Sequence, residues 1–238
     1  MGKRQSDKSR QRLARDKAST SLAESPLMKM TLPFLGALFL VSLLPRIQSH
    51  FVLSRSFYFA IGGLLIWFGV LAWKVSADGT PLEVEFVPRR QHYFQACFHT
   101  SIFLYWGWYW RVVYDSALLI FAQILFAYAF DSLLSFSRRR KFVLGFGPFP
   151  IIFSTNLFLW FKDDWFYLQF IMLSVGFLAK EFIRWERFGQ RVHVFNPSAL
   201  SLSVFSFGLA ILGKTDITRA FRSPELFSCR PIFTSSCS

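Results

Sequence analysis

Charged residues, and acidic ones above all, are scarce in this sequence of 238 residues. Only 17% of the residues are charged, and 14 Asp and Glu stand against 27 Lys and Arg. A soluble domain carries about 25% charged residues, so this chain lacks the charge that covers a soluble surface. The basic residues occupy short gaps between long apolar runs, which argues against nucleic acid as a partner. With 53% hydrophobic residues and a mean hydropathy of +0.36, the composition predicts an integral membrane protein.

Cysteine is almost absent from the chain. Cys97, Cys229 and Cys237 are too few and too unevenly spaced for a disulfide framework or a metal cluster. The sequence also lacks CxxC and HExxH motifs and glycine-rich phosphate loops of the Walker or Rossmann type. These absences argue against most classes of soluble enzyme and predict no metal site. Transporters, membrane electron carriers, membrane-embedded transferases and structural membrane subunits remain.

Long apolar runs divide the chain. A helix that crosses a hydrocarbon core of about 30 Å needs about 20 mostly apolar residues. Reading between charged residues gives seven candidate spans, so the sequence predicts an all-α, polytopic membrane helix bundle. The predicted spans are residues 30–45, 56–73, 91–110, 116–137, a fifth between Lys141 and Lys162, a sixth between Asp164 and Arg184, and about 196–213.

Connections rich and poor in basic residues alternate along these spans. Seven Lys and Arg in the first 25 residues place the N-terminus in the cytoplasm. We therefore predict a multi-pass protein of the cell inner membrane, surrounded by membrane lipid. The predicted organisation is a disordered basic cytoplasmic tail over residues 1–27, a transmembrane helical domain over 28–213, and an aberrant or disordered tail over 214–238.

Ionisable side chains inside the predicted spans are costly and indicate function by default. Asp131 follows an apolar run in the fourth span. One interpretation pairs it with the basic cluster at 138–140 near the cytoplasmic headgroups, and the other makes it a proton or cation relay. His92 and His99 lie on one face of the third span, about 10 Å apart along the axis, which is too far to share one metal ion.

Two segments depart from an ordinary apolar span. Residues 105–110, Tyr-Trp-Gly-Trp-Tyr-Trp, fit an aromatic belt at one membrane interface, and stacked rings also suit contact with a planar cofactor or quinone. Residues 145–150, Gly-Phe-Gly-Pro-Phe-Pro, cannot be helical throughout. Because irregular backbone at membrane depth must line protein or water, we predict a broken, cavity-lining start to the fifth span.

Residues 191–199, Arg-Val-His-Val-Phe-Asn-Pro-Ser-Ala, contain a helix start. Asn196 is a preferred N-cap, and Pro197 suits the first helical position. The amides and dipole of such a start favour an anion. The segment is therefore either a site for a phosphate-bearing ligand or lipid headgroup, or a capped helix start with positive-inside charge. The basic side chains in and before it are Arg184, Arg187, Arg191 and His193.

The stretch His193-Val-Phe-Asn-Pro-Ser-Ala199 resembles a motif of the D subunit of Rnf-type electron transport complexes and of the B subunit of the sodium-translocating NADH:quinone reductase. The similarity covers roughly residues 90–218 and points to an uncharacterised bacterial branch of that superfamily. Four further segments carry it: 102–110, 114–115, 144–150 and 162–165.

The resemblance implies a subunit that carries flavin through the bilayer and couples electron flow to ion movement. In that family FMN is joined through its phosphate to a threonine of a Ser/Thr-Gly-Ala-Thr motif downstream of the Phe-Asn-Pro segment. This chain has no such motif, so no residue here is assigned a covalent flavin.

The first hypothesis is therefore a membrane subunit for electron transfer or cation transport, with FMN or riboflavin as cofactor and other subunits of a redox complex as partners. It assigns an ion or proton relay to Asp131 and a cofactor-phosphate site to Arg191, His193, Asn196 and Ser198. The alternatives are a non-redox transporter for a small metabolite and an accessory or scaffold membrane protein.

The end of the sequence departs from the family. Members are expected to continue into more spans after residue 218, whereas here a Ser- and Cys-rich stretch runs from Arg219 to Ser238. We therefore expect a truncated or frame-shifted product, with residues from about Arg219 onward foreign to the family.

Overall fold

The structure is a computed structural model that describes residues 25–78, 81–187 and 190–219. It is mostly helical, as an all-α fold requires, with four short strands added. The helices are α1 (Pro26–Ser42), α2 (Pro45–Gln48), α3 (Phe51–Asp78), α4 (Arg90–Tyr109), α5 (Arg111–Arg139), α6 (Pro148–Phe158), α7 (Tyr167–Phe182) and α8 (Pro197–Ile211). The strands are β1 (Glu83–Phe86), β2 (Lys141–Leu144), β3 (Arg184–Arg187) and β4 (Gln190–His193).

Proline marks where several of these helices begin. Pro26, Pro45, Pro148 and Pro197 each stand in the first turn of a helix, where the missing N–H has no intrahelical partner to lose. Ser25 caps α1 by accepting a hydrogen bond from the Met28 amide at 3.4 Å. The local sequence therefore fixes these helix starts.

Helix α5 is the centre of the bundle. It packs against α1, α3, α4, α6 and α7, and residues 125–136 are buried at every position. Around it, large apolar side chains point outward in stripes at helical spacing: Phe59, Ile66 and Trp73 on α3, and Val204, Phe207 and Ile211 on α8. The outer surface of these helices is therefore apolar along the face that leaves the bundle.

The connections gather at two opposite ends of the bundle. At one, which we call the strand end, β1 pairs in parallel with β2, and Arg140 reaches Asp78 at 2.6 Å. At the other, which we call the Asp163 end, the Asp163 carboxylate accepts from Arg46 at 2.9 Å and from Arg219 at 2.7 Å. Helices α3, α5 and α7 run from the Asp163 end to the strand end.

Two helices, α3 and α5, are long and apolar enough to cross a membrane by length and composition. They correspond to the second and fourth predicted spans. The first, fifth, sixth and seventh predicted spans also form helices, but α1, α6, α7 and α8 have only 17, 11, 16 and 15 residues. The fifth region is shortest because residues 141–147, which form β2 and the turn before Pro148, are not helical. Seven full spans therefore stay a prediction.

The predicted tails lie mostly outside the described residues. Residues 1–24 and 220–238 are outside the described residues. The disorder of the N-terminal tail and the origin of the C-terminal stretch outside the family therefore stay predictions. Residues 214–219, which the sequence analysis placed in the C-terminal tail, are folded onto the bundle. The Lys162 amide donates to the Ile217 carbonyl at 3.0 Å, and the Arg219 amide donates to the Trp160 carbonyl at 2.7 Å.

Candidate functional site

A cavity of about 780 Å³ opens at the strand end, between α4, α5, α6, α7 and the start of α8. We call it the strand-end cavity. It is the place where most of the polar residues singled out in the sequence meet. Its polar and charged lining consists of Arg89, His92, Gln95, His99, Asp131, Ser135, Arg139, Ser154, Lys180, Arg184, Asn196 and Ser198.

The cavity carries more positive than negative charge. Four cationic side chains line it (Arg89, Arg139, Lys180 and Arg184), and Asp131 is the lining carboxylate. A second carboxylate, Glu181, lies beside it and accepts from Arg139 at 2.6 Å and from Arg184 at 2.9 Å. Two carboxylates against four cations leave a net positive charge, which favours an anionic ligand.

Asp131 is buried, and its partner is Lys180. The Lys180 ammonium lies 3.2 and 3.3 Å from the two carboxylate oxygens. The structure thus corrects the interpretation that paired Asp131 with the basic cluster at 138–140. Those arginines follow Asp131 by two turns on α5, and they reach Glu181, Asp78 and the Phe182 ring instead. Lys180 is closer in space because α7 packs directly on α5.

Two helix N-termini open onto the cavity. Gly147 and Pro148 at the start of α6 line it, as do Asn196 and Pro197 at the start of α8. The predicted cap at Asn196 is confirmed, since its side-chain oxygen accepts from the Ser198 amide at 3.2 Å and from its hydroxyl at 2.8 Å. The cap orders the first turn of α8, and the positive end of the helix dipole faces the cavity.

The Gly-Pro segment forms part of the wall, as predicted. Gly145 lies so close to β1 that a Cβ there would meet the Val87 carbonyl oxygen at 2.7 Å. Its own carbonyl accepts from the Tyr128 hydroxyl at 2.7 Å. Because only glycine allows this approach, the residue type at 145 fixes how β1, β2 and the start of α6 join.

A second glycine allows the helices behind the cavity to approach. A Cβ at Gly176 on α7 would lie 3.4 Å from both Ile151 and Ser201 side-chain atoms and 3.5 Å from the Pro197 carbonyl oxygen. Small residues bring helix backbones together in this way. Gly176 therefore lies at the contact between α7, α6 and the start of α8, where an added Cβ would make ordinary van der Waals contacts.

Both histidines of α4 line the cavity. The His99 ring stacks on Phe153 with 6.2 Å between centroids, and its Nδ1 lies 2.7 Å from the Gln95 carbonyl oxygen. His92 lies beside Gly147. Among the described residues, no group of three or more His, Cys, Asp or Glu side chains could hold a metal ion.

Arg191 and His193 lie on β4, which pairs antiparallel with β3 and places His193 opposite Arg184. Their side chains lie outside the part of the chain that the structure describes. The structure therefore brings Asp131, Asn196 and Ser198 to one cavity, and it leaves the roles of Arg191 and His193 as predictions.

Residues 105–110 do not reach the cavity lining. Tyr105, Trp108 and Tyr109 are exposed, and the Tyr105 and Tyr109 rings lie 5.0 Å apart. Trp106 and Trp110 pack against a small core cluster that includes Phe103. The exposed rings suit an aromatic belt.

A buried polar cluster was missed by sequence reasoning. The Asn156 amide donates to Gln123 at 2.7 Å and accepts from Gln169 at 3.2 Å, and all three side chains are buried. They come from α5, α6 and α7. The signal was present in part, since Asn156 stands among polar residues at the end of the Ser-Thr-Asn run, but its partners are 33 and 13 residues away.

The strand pair beside the cavity carries its own ion pair. The Lys141 ammonium lies 3.0 Å from the Glu85 carboxylate. This hydrogen bond, and the negative charge of Glu85, raise the pKa of Lys141. Lys141 therefore keeps its proton, and the Glu85 carboxylate balances its charge.

Comparisons with protein-family models, with curated proteins and with solved structures gave no match to this chain.

Proposed function

We propose that this chain is a polytopic membrane protein whose helices alternate in direction. The outward stripes of large apolar side chains on α3 and α8 support a lipid-facing surface. The connections that are rich in basic residues meet at the strand end, and the poorer ones meet at the Asp163 end. By the positive-inside rule the strand end faces the cytoplasm of an inner-membrane protein.

We further propose that the strand-end cavity binds the phosphate-bearing end of a small ligand. The observation that carries this proposal is the convergence of two helix N-termini and four cationic side chains on a single cavity. Helix N-termini and basic side chains are the groups that bind phosphate in proteins. The volume of about 780 Å³ suits a ligand of nucleotide size.

FMN is the first candidate ligand, because the Phe-Asn-Pro segment resembles that of the Rnf D subunit and its sodium-pump relative. In this proposal the chain is a flavin-linked electron-transfer subunit, coupled to cation movement and assembled with other subunits of a redox complex. The strand-end cavity has hydrogen-bond donors for the FMN phosphate. The side chains of Arg89 and Lys180 and the first backbone amides of α8 would bind this phosphate. Asp131 would act as the ion or proton relay, since its buried carboxylate lies against the same Lys180.

Transport of a small anion is the second candidate function. Helices α6 and α8 are short, and both begin at the cavity. Secondary transporters use broken helices whose N-termini point at the anionic group of a substrate near the middle of the membrane. The accessory or scaffold alternative predicts neither flavin binding nor anion flux.

Binding of FMN to the detergent-purified full chain tests the proposal. FMN fluorescence is titrated with protein, and riboflavin, which lacks the phosphate, serves as the matched ligand. We expect FMN to bind at least tenfold more tightly, since a charge-assisted phosphate contact contributes about 1.5 kcal/mol or more. Inorganic phosphate should compete with FMN. Equal affinity for both flavins, with no competition by phosphate, would contradict the anion site.

Neighbouring arginines supply a matched pair of variants. Arg89 lines the cavity and makes no ion pair within the described ranges, whereas Arg90 does not line it. We expect Arg89→Gln to weaken FMN or phosphate binding by about tenfold and Arg90→Gln to leave it unchanged. Asn196→Leu should also lower flavin retention. Uptake of labelled phosphate into reconstituted vesicles, with no retained flavin, would select the transporter function.

A further inference from the structure

A second concave surface lies between α3 and α7. It has a volume of about 690 Å³, and its floor is formed by Phe126 and Phe130 of the central helix α5. We call it the α3–α7 groove. It follows α3 from Phe51 to Trp67, a length of about 24 Å at 1.5 Å per residue.

The long part of the groove offers nothing to a polar ligand. The Ser56 hydroxyl donates to the Val52 carbonyl at 2.7 Å, and the Ser174 hydroxyl donates to the Phe170 carbonyl at 2.9 Å. The Trp67 indole N–H donates to Ser137 at 3.1 Å. Because these donors are satisfied within the protein and the neighbouring lining side chains of α3 are apolar, this part of the groove favours an apolar occupant.

One end of the groove carries a positive charge. Arg55 lies near the start of α3, at the Asp163 end of the bundle, with its guanidinium carbon 3.9 Å from the centroid of the Phe51 ring. No carboxylate pairs with Arg55 in the described part of the chain. Asp163, one of the acidic residues at this end, is already bound by Arg46 and Arg219. The Arg55 charge is therefore available to an anion from outside the chain.

We propose that the α3–α7 groove binds one anionic phospholipid, with its phosphate on Arg55 and an acyl chain along α3. The groove and this lipid share the same polarity pattern: a charge near one end, followed by an apolar stretch of about 18 Å from Arg55 to Trp67, which is close to the roughly 15 Å of one leaflet's hydrocarbon. Basic sites between membrane helices bind anionic headgroups in this way. The inference rests on the proposed membrane location and is independent of the strand-end cavity and its ligand.

A substitution at Gly63 can fill the apolar part of the groove. It lines the groove, and a Cβ there would meet nothing within 4 Å. Gly63→Leu therefore fills the groove without touching the packing of α3 on α1. Arg55→Gln removes the charge alone. Lys214→Gln is the control, because Lys214 is also exposed and lies at the same end but outside the groove.

Native mass spectrometry of the full chain in detergent, with added phosphatidylglycerol or phosphatidylcholine, measures the lipid bound. The native chain should retain one phosphatidylglycerol about fivefold more tightly than phosphatidylcholine, the preference expected of one basic side chain near a headgroup. Arg55→Gln should abolish that preference, Gly63→Leu should lower retention of both lipids, and Lys214→Gln should change nothing. Thermal unfolding checks that each variant is folded.

Two results would overturn the proposal. In the first, Arg55→Gln keeps the preference for phosphatidylglycerol, or Lys214→Gln loses as much of this preference as Arg55→Gln does. Either finding would show that Arg55 is not the site of the lipid headgroup. In the other, Gly63→Leu keeps its lipid but dissociates an oligomer, and the groove is then an interface between copies of this chain. Neither result depends on flavin or phosphate binding, so the proposed function is tested separately.

Discussion

The strand-end cavity and the α3–α7 groove have similar volumes, about 780 and 690 Å³, and opposite chemistry. The cavity lies where α6 and α8 begin, and basic side chains reach it from the loop before α4, from the last turns of α5 and α7, and from β3. The groove lies along α3 and α7, and apart from Arg55, two serines and Tyr167 it is lined by apolar side chains. The comparison teaches that the chemistry of each site is set by the side chains that its helices present to it: charged ones at the cavity and apolar ones along the groove.

The largest expected difference in stability is between the substitution of Lys180 at the cavity and the substitution of Arg55 at the groove. Lys180→Met at the cavity leaves the buried Asp131 carboxylate without its partner, which should lower the free energy of unfolding by about 3 kcal/mol. Arg55→Met at the groove removes an exposed charge that has no ion pair among the described residues, and it should change stability by less than about 0.5 kcal/mol. Thermal unfolding of both variants in detergent measures the difference.

The double variant Asp131→Asn/Lys180→Met sharpens this test. It removes both charges, so it should recover most of the stability that Lys180→Met alone loses. If the double variant is as unstable as the sum of its single variants, the two side chains do not interact and the ion pair is unimportant.

The next largest difference in stability is expected between alanine substitutions of Gly145 at the cavity and Gly63 in the groove. Gly145→Ala in the cavity wall forces a Cβ to within 2.7 Å of the Val87 carbonyl oxygen, which should cost about 2 kcal/mol through displacement of β1. Gly63→Ala in the groove meets nothing within 4 Å, and it should stabilise α3 by up to about 1 kcal/mol. Unfolding midpoints that move in the same direction for both variants would contradict the different packing at these two positions.

The smallest expected difference in stability is between a substitution at the start of α8 and a substitution within α3. Asn196→Ala removes the cap of α8 and should cost about 1 kcal/mol. Ser56→Ala removes a hydroxyl that bonds to a carbonyl within α3, and it should change stability by less than about 0.5 kcal/mol. Hydrogen exchange of the first amides of α8 should accelerate in Asn196→Ala, and unchanged exchange there would show that the cap does not order this turn.

Local features of the fold could be predicted from the sequence. Each predicted span contains a helix, and the cap at Asn196 and the non-helical Gly-Pro segment before Pro148 are found where they were expected. These features depend on neighbouring residues only: apolar length, a capping side chain, and the fixed φ of proline. Helix length was less predictable, because β2 and the Gly-Pro segment occupy residues that hydropathy alone assigns to a span.

The partners within the site could not be predicted. The nearest basic residues to Asp131 in the sequence are at 138–140, yet its partner is Lys180, 49 residues away. The Asn156 contacts with Gln123 and Gln169 were missed for the same reason. Which side chains pair between helices depends on which helix faces pack together, and this packing cannot be read from a single sequence.

The sequence by itself determined the all-α fold, the approximate positions of its helices and the helix start at Asn196, because apolar length and capping are local properties. Only the tertiary structure decided that this start shares a cavity with α6, Lys180 and Asp131, and that an apolar groove ends at Arg55. The physical reason is that helix faces meet, and backbones approach closely as at Gly145 and Val87, through contacts between residues distant in the sequence, and this packing decides which charges meet.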